Sequence, residues 1–170
     1  MVDDRPELLF QRWLARHGAA VMKVARAYTA TADEACDLAQ EILLQVWRSL
    51  PRFEGRADAS TWAYRVALNT AIGWHRKERR RRSRQRPIAE DESPPAPGPD
   101  GPQQADRREV VERLYAAIRR LSPADAALVL LYLDDLSYRQ IAEVLGISEN
   151  HVGVKLNRAR KALAALMKGE

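Results

Sequence analysis

Six of the chain's nine prolines, Pro87, Pro94, Pro95, Pro97, Pro99 and Pro102, fall within residues 83–106. Proline lacks a backbone N–H and its ring clashes with the preceding turn, so no regular helix or central strand can run through such a stretch. The segment is also poor in apolar side chains and cannot bury enough surface to offset its ordering entropy. The chain is therefore expected to fold in two parts, residues 1–82 and 107–170, joined by an extended, mobile tether of polyproline character. Each part is close to the lower size limit for independent folding, so each core should be small.

Both parts read as helix. Alanine, leucine, arginine and glutamate dominate, and the apolar residues recur at helical spacing. Helices are expected near 5–16, 19–29, 32–50 and 59–80 in front, and near 107–120, 123–134, 138–145 and 149–167 behind. Thr31 with Glu34, and Ser137 with Gln140, have capping-box spacing. Ser122-Pro123 pairs a capping residue with proline at the first helical position. No stretch alternates like a strand and no repeat is visible. The fold class is all-α: two small helical domains and a flexible proline-rich linker.

The net charge of +5 is unevenly placed. The front part holds 15 basic and 10 acidic side chains, the tether 2 and 5, the rear part 11 and 8. Two basic blocks flanking an acidic tether suggest a polyanion touched at two places. Other classes are unlikely on composition. Cys36 is the single cysteine, which removes any disulfide framework or cysteine-based zinc site, and it reads as a small buried hydrophobe. His17, His75 and His151 share no ligand spacing. The apolar run Val129 to Leu133 is far short of a membrane span, and Met1 to Glu7 carries no apolar signal segment. A reducing, cytoplasmic setting fits, with no metal and no cofactor.

Three faces carry chemistry. On the 32–50 helix, Ala35, Leu38, Ala39, Ile42, Leu43, Val46 and Leu50 form the core stripe. The opposite stripe is Asp37, Gln40, Glu41, Leu44 and Arg48. Leu44 among those charges is either a lone exposed leucine or the apolar centre of a contact site. Asp37 and Glu41 lack the nucleophile, metal ligand or glycine-rich loop that an enzyme would need beside them.

The second face follows a short break, Phe53 to Ala59, where Gly55 can take backbone angles closed to other residues and Asp58 or Ser60 can cap the next helix. In that helix Arg65, Asn69, Ile72 and Arg76 share one stripe. Such an arginine–amide row can hold phosphates and reach a base edge. Trp62 beside it is a stacking platform or a core residue; Tyr64 is expected in the core. Arg76, Lys77 and Arg79 to Arg82 close the helix with a basic run, which complements its dipole and can also hold a duplex.

The third face is in the rear part. Leu136-Ser137-Tyr138 through Ile141-Ala142, Leu145-Gly146-Ile147 and Ser148 reads as a helix-turn-helix, with Gly146 at the sharp turn. In the second helix Val152, Leu156, Ala159, Leu163 and Leu166 face inward. Asn150, Val154, Asn157, Arg158 and Lys161, with His151 and Lys155 beside them, face outward and have the side-chain types that read a major groove.

Asp37-Leu38-x-Gln40-Glu41, then Trp47, Leu50, Pro51 and Phe53, then Thr61-Trp62 with Tyr64-Arg65 and Asn69, together resemble the N-terminal domain of bacterial sigma factors. The variant looks like the extracytoplasmic-function (ECF) group, and the resemblance covers about residues 7–80 and 108–168. It implies that Asp37, Gln40, Glu41, Leu44 and Arg48 dock on the clamp of the RNA polymerase large subunit, with the flap as a second polymerase contact. It implies that Phe53, Gly55, Arg56, Asp58, Ser60, Trp62, Arg65, Asn69, Arg76, Lys77, Arg79 and Arg80 read and open the promoter −10 element, a flipped base entering the loop. It implies that Ser148, Asn150, His151, Val154, Lys155, Asn157, Arg158 and Lys161 read the −35 element. Glu90, Asp91, Glu92, Asp100 and Asp106 would let the tether thread the basic RNA path.

An anti-sigma protein is implied as a further partner. Two departures stand out. Ala63 replaces a second tryptophan found in housekeeping relatives, which implies stricter dependence on promoter sequence. Val152-Gly153-Val154-Lys155-Leu156 replaces the commoner Val-Lys-Ser-Arg-Leu, so base preference cannot be carried over. A one-component helix-turn-helix regulator is the alternative; it would need a ligand-binding or dimerising front domain.

Overall fold

The computed structural model describes residues 5–85 and 101–169. Among them are seven α-helices, one short 3₁₀ turn and no strand. The helices are α1 (Pro6–Tyr28), α2 (Ala32–Ser49), α3 (Ala59–Arg84), α4 (Pro102–Arg119), α5 (Pro123–Leu133), α6 (Tyr138–Leu145) and α7 (Glu149–Lys168); the 3₁₀ turn, Leu50–Arg52, follows α2.

The caps explain most of the boundaries. Thr31 and Glu34 form a reciprocal capping box at the start of α2, and Ser137 and Gln140 do so for α6. Ser122 accepts a bond from the Asp125 N–H ahead of Pro123. Gly146 ends α6 at φ +67°, a left-handed conformation that costs glycine little and other residues more. It turns the chain into α7, whose first turn is capped by Ser148.

Two boundaries differ from the sequence reading. The expected break near residue 18 is absent: α1 is one helix of 23 residues, with Gly18 inside it. A mid-helix glycine costs about 1 kcal/mol relative to alanine, which the burial of Trp13, His17, Val21, Val24 and Ala25 on both sides of it outweighs. The tether is also shorter than expected. Helix α3 continues to Arg84, and α4 starts at Pro102, where proline sits at the first helical position with no N–H to satisfy. Asp106 is therefore helical. Glu90, Asp91, Glu92 and Asp100, with the rest of 86–100, lie outside the described residues.

Helices α1, α2 and α3 pack on one another around Val24, Leu38, Ile42, Val46 and Ala71. Helices α4 to α7 enclose Ile118, Leu128, Leu131, Ile141, Val152 and Leu156. The two groups also touch: α1 lies on α4 and α5, and α3 on α5 and α6. At that seam the Tyr28 hydroxyl donates to the Pro123 carbonyl at 2.7 Å. Arg26 pairs with Glu112 at 2.5 Å while its guanidinium lies 4.2 Å from the Tyr115 ring centre.

Cys36 is a correction. It is exposed, not buried. The inward phase of α2 runs through Ala35, Leu38, Ala39, Ile42 and Val46, and residue 36 falls one step outside it.

Candidate functional site

The outer stripe of α2 is where the helical phase puts it. Asp37, Gln40, Leu44 and Arg48 are exposed, and Glu41 is half-buried, accepting a bond from the Gln45 amide at 2.8 Å. Leu44 is 41% exposed and is not alone. Trp47, 38% exposed, stands one turn away on the same helix, and Phe10 of α1 meets its ring edge-on at 5.4 Å. Together with Leu43 they line a shallow, largely apolar groove of about 550 Å³, rimmed by Glu7, Gln11 and Gln40. An apolar floor with a polar rim is the composition of a protein contact. Phe10 belongs to this surface and was not singled out from sequence, because its role depends on how α1 lies against α2.

An aromatic row leads from this groove to the loop before α3. Phe10 stacks near Trp13 at 6.3 Å, Trp13 meets Trp62 edge-on at 6.4 Å, and Trp62 lies 4.9 Å from Phe53. Trp62 is therefore a half-buried member of a cluster, with its outer part at the loop. In the loop Gly55 has φ +69°, with open space where a side chain would be. Arg56 pairs with Glu54 at 2.8 Å, both largely exposed. The Asp58 carboxylate accepts the Ser60 N–H at 3.0 Å, which decides the cap of α3 in favour of Asp58.

Along α3, Arg65, Asn69 and Arg76 are exposed, whereas Ile72 turns partly toward the core. Arg65 is engaged: its guanidinium donates to the Glu143 carbonyl at 2.6 Å. Tyr64 packs its ring against the core, as expected, but its hydroxyl reaches Asp134 in the rear half. Burial, and then the bond to Asp134, raise the Tyr64 phenol above its ordinary range. The basic run is partly neutralised. Arg81 and Arg82 both turn onto Glu78, and Arg82 also reaches Glu34 at 2.9 Å. The bond from Arg81, helped by Arg82, holds the Glu78 carboxyl below the usual carboxylate range. Arg76, Lys77, Arg79 and Arg80 are exposed, and it is these that can meet phosphates.

In the rear half, Ser148, Asn150, His151, Val154, Lys155, Asn157, Arg158 and Lys161 are all exposed, while Val152, Leu156 and Ala159 are buried. Val154 is 55% exposed. Gly153 faces the ring of Tyr138 on α6, and a Cβ there would lie 3.6 Å from it. Its absent side chain thus points toward the neighbouring helix. Among the described residues no group of histidine, cysteine or carboxylate side chains could hold a metal ion, and no helix is long and apolar enough to cross a membrane.

Comparison with known proteins agrees with this layout. The family model for Sigma-70 region 2 matches residues 13–81, and that for Sigma-70 region 4 matches residues 111–163. RNA polymerase sigma factor YlaC of Bacillus subtilis is 32% identical over 133 residues, covering 77% of this chain and 76% of that protein. ECF RNA polymerase sigma factor SigM of Mycobacterium tuberculosis is 30% identical over 162 residues, covering 93% and 76%. Among solved structures, sigma factor RpoE in complex with the anti-sigma factor NepR from Bartonella quintana has a similar fold. Its TM-score is 0.73 at 21% identity, with 94% of this chain and 96% of that chain covered. CnrH in complex with the cytosolic domain of CnrY has a TM-score of 0.67 at 23% identity, covering 95% and 88%.

Proposed function

The chain belongs to the ECF group of RNA polymerase sigma factors, and from that membership we propose a division of labour among its surfaces. As a sigma factor it directs promoter-specific transcription initiation. Residues 1–82 dock on core polymerase and handle the −10 element, 83–106 connect, and 107–170 read the −35 element. Asp37, Gln40, Glu41, Leu44 and Arg48, extended by Phe10 and Trp47, form the polymerase-docking surface. The loop from Phe53 to Ser60, with Trp62, Arg65, Asn69 and the cations Arg76, Lys77, Arg79 and Arg80, receives the −10 strand. The outer face of α7 enters the major groove. The protein acts by binding and positioning, with no catalytic residue of its own, and works where core polymerase works, in the cytoplasm.

The observation that carries this reading is the joint presence, on one chain, of a helix-turn-helix and a second surface built for a helical protein partner. A one-component regulator has no use for the groove formed by Leu44, Trp47 and Phe10. The test is promoter-directed initiation by purified core polymerase with and without the protein. Specific transcripts that appear only with it support the assignment; DNA binding with no engagement of core overturns it.

Anti-sigma control belongs to the same proposal. The apolar groove on α1 and α2 is open in the free chain, and the two structural relatives named above are complexes with an anti-sigma factor and with CnrY. A partner that seats an apolar helix there would compete with polymerase. Recovery of such a partner with the wild-type protein, but not with Leu44→Asp, is the expected result.

A further inference from the structure

We propose that the cleft between α3 and α4 is a binding site for a nucleoside diphosphate, with the ring at its aromatic end and the phosphates at its cationic end. The cavity holds about 420 Å³, within the range of roughly 300–1,000 Å³ that small-molecule sites occupy. Its walls come from the end of α1, the C-terminal half of α3, the last turns of α4 and the start of α5. No residue assigned above to polymerase docking or to the −35 element lines it. Its chemistry changes along its length. His75, Arg79 and Arg82 stand at i, i+4 and i+7 on α3 and form one row, about 10 Å from end to end. At the His75 end the walls are aromatic and apolar. Trp74 is half-buried there, the Tyr28 ring meets His75 edge-on at 6.3 Å, and Pro123 lies across the cleft with its carbonyl on the Tyr28 hydroxyl.

Further along α3 the lining is cationic, with Arg119 and Arg120 entering from α4. The two carboxylates in the walls are already engaged. Glu78 is held by Arg81 and Arg82, and Glu34 by Arg82 and the backbone N–H groups of Ala30 and Thr31. Arg119 donates to the Arg26 carbonyl at 3.3 Å. Arg79 and Arg120 are exposed to the cavity and pair with no carboxylate among the described residues. The surplus of positive charge is felt inside the cleft: burial, and then Arg79 and Arg82, hold the His75 imidazole below its ordinary value. His75 is therefore neutral at pH 7, with one ring nitrogen to donate and one to accept. A diphosphate between Arg79 and Arg120 gives both guanidinium forks charge-assisted bonds. A flat ring beside Trp74 gains a stacking partner. A bare phosphate leaves the aromatic end unfilled, and an apolar molecule leaves the arginines unpaired, so a ligand carrying both parts suits the cavity.

The test is calorimetric titration of the full chain with the diphosphates of adenosine, guanosine, cytidine and uridine, with the free nucleosides, and with inorganic pyrophosphate. At least one diphosphate should bind about tenfold or more tightly than either of its parts. Arg120→Ala should weaken that binding about tenfold, the worth of one charge-assisted hydrogen bond. Arg84→Ala removes an equal charge from the end of α3, outside the cavity, and should leave it unchanged. Circular dichroism checks that both variants keep their helix content. The bound ligand should quench tryptophan emission in the wild type and far less in Trp74→Phe. Binding by none of the diphosphates overturns the site, as does pyrophosphate binding as tightly as all of them, or an equal loss in Arg120→Ala and Arg84→Ala. Quenching undiminished in Trp74→Phe overturns the placement of the ring.

Discussion

Gly153 stands in the exposed half of α7 with its missing side chain toward the Tyr138 ring. Its cost is helix propensity alone, because a Cβ would sit at an ordinary contact distance of 3.6 Å. Gly153→Ala should raise the unfolding free energy by up to about 1 kcal/mol, measured by urea titration, and leave −35 binding unchanged. Glu78 makes a different prediction. Its carboxyl is held below the usual range by Arg81 and Arg82, so the unfolded state binds the proton more readily than the folded one. The stabilisation is present above the ordinary carboxylate pKa and is lost as pH falls through the lowered folded value. Against a Glu78→Gln control, the wild type should lose more stability on acidification through that window, measured by denaturant titration at each pH. The cost of Gly153 is legible in the sequence as helix propensity; the Glu78 effect is not. Spacing shows that Glu78 lies one turn from Arg81 and Arg82, but not that both arginines turn onto it.

At the scale of the element, α2 and α7 are each two-sided, and the period of 3.6 residues sorts their faces. This is why the stripe of Asp37 to Arg48 and the outer row of α7 were legible without coordinates. What the period misses is the neighbour. Leu44 alone is an exposed leucine; Leu44 beside Trp47 and Phe10 is the floor of a groove. Leu44→Ala should weaken binding to core polymerase about tenfold, in the range of an interface anchor. It should leave the melting temperature nearly unchanged, since the side chain is 41% exposed. On α7, Arg158→Ala should weaken promoter binding and reduce the slope of log affinity against log salt by about 1 if Arg158 contacts a phosphate. Equilibrium titrations at several salt concentrations give both numbers. A change confined to one base position, with the slope intact, would instead assign Arg158 to base readout.

At the scale of the whole molecule, the two halves share a seam. Tyr28 makes a sheltered polar contact in it, its phenol raised well above the ordinary range by burial. Tyr28→Phe deletes the bond to the Pro123 carbonyl and should destabilise the chain by about 1 kcal/mol. Because the seam links both cores, the loss should appear in the unfolding of both halves, followed by tryptophan fluorescence for the front half, which holds all four tryptophans, and by hydrogen exchange for both halves. Independent halves would confine the loss to one set of probes. The proline segment predicted two bodies, and none of its features predicted that they would lie against each other. Tyr64, expected in the core, contributes its ring there and its hydroxyl to Asp134, 70 residues further along the chain.

The sequence by itself determined the helices, their capped ends, the outward faces of α2, α3 and α7, and the sigma-like order of motifs. These depend on interactions within a few residues, where spacing and side-chain chemistry suffice. It misjudged Gly18, because local propensity is weaker than the burial that surrounds that residue in α1. It also misplaced Cys36, which falls one residue off the buried phase. Only the tertiary structure decided that Phe10 completes the groove, that Arg65 and Tyr64 are engaged by the rear half, and that Asp134 joins α1, α3 and α5. Those contacts pair residues far apart in the chain, whose meeting depends on how whole helices pack and leaves no periodic trace in the sequence.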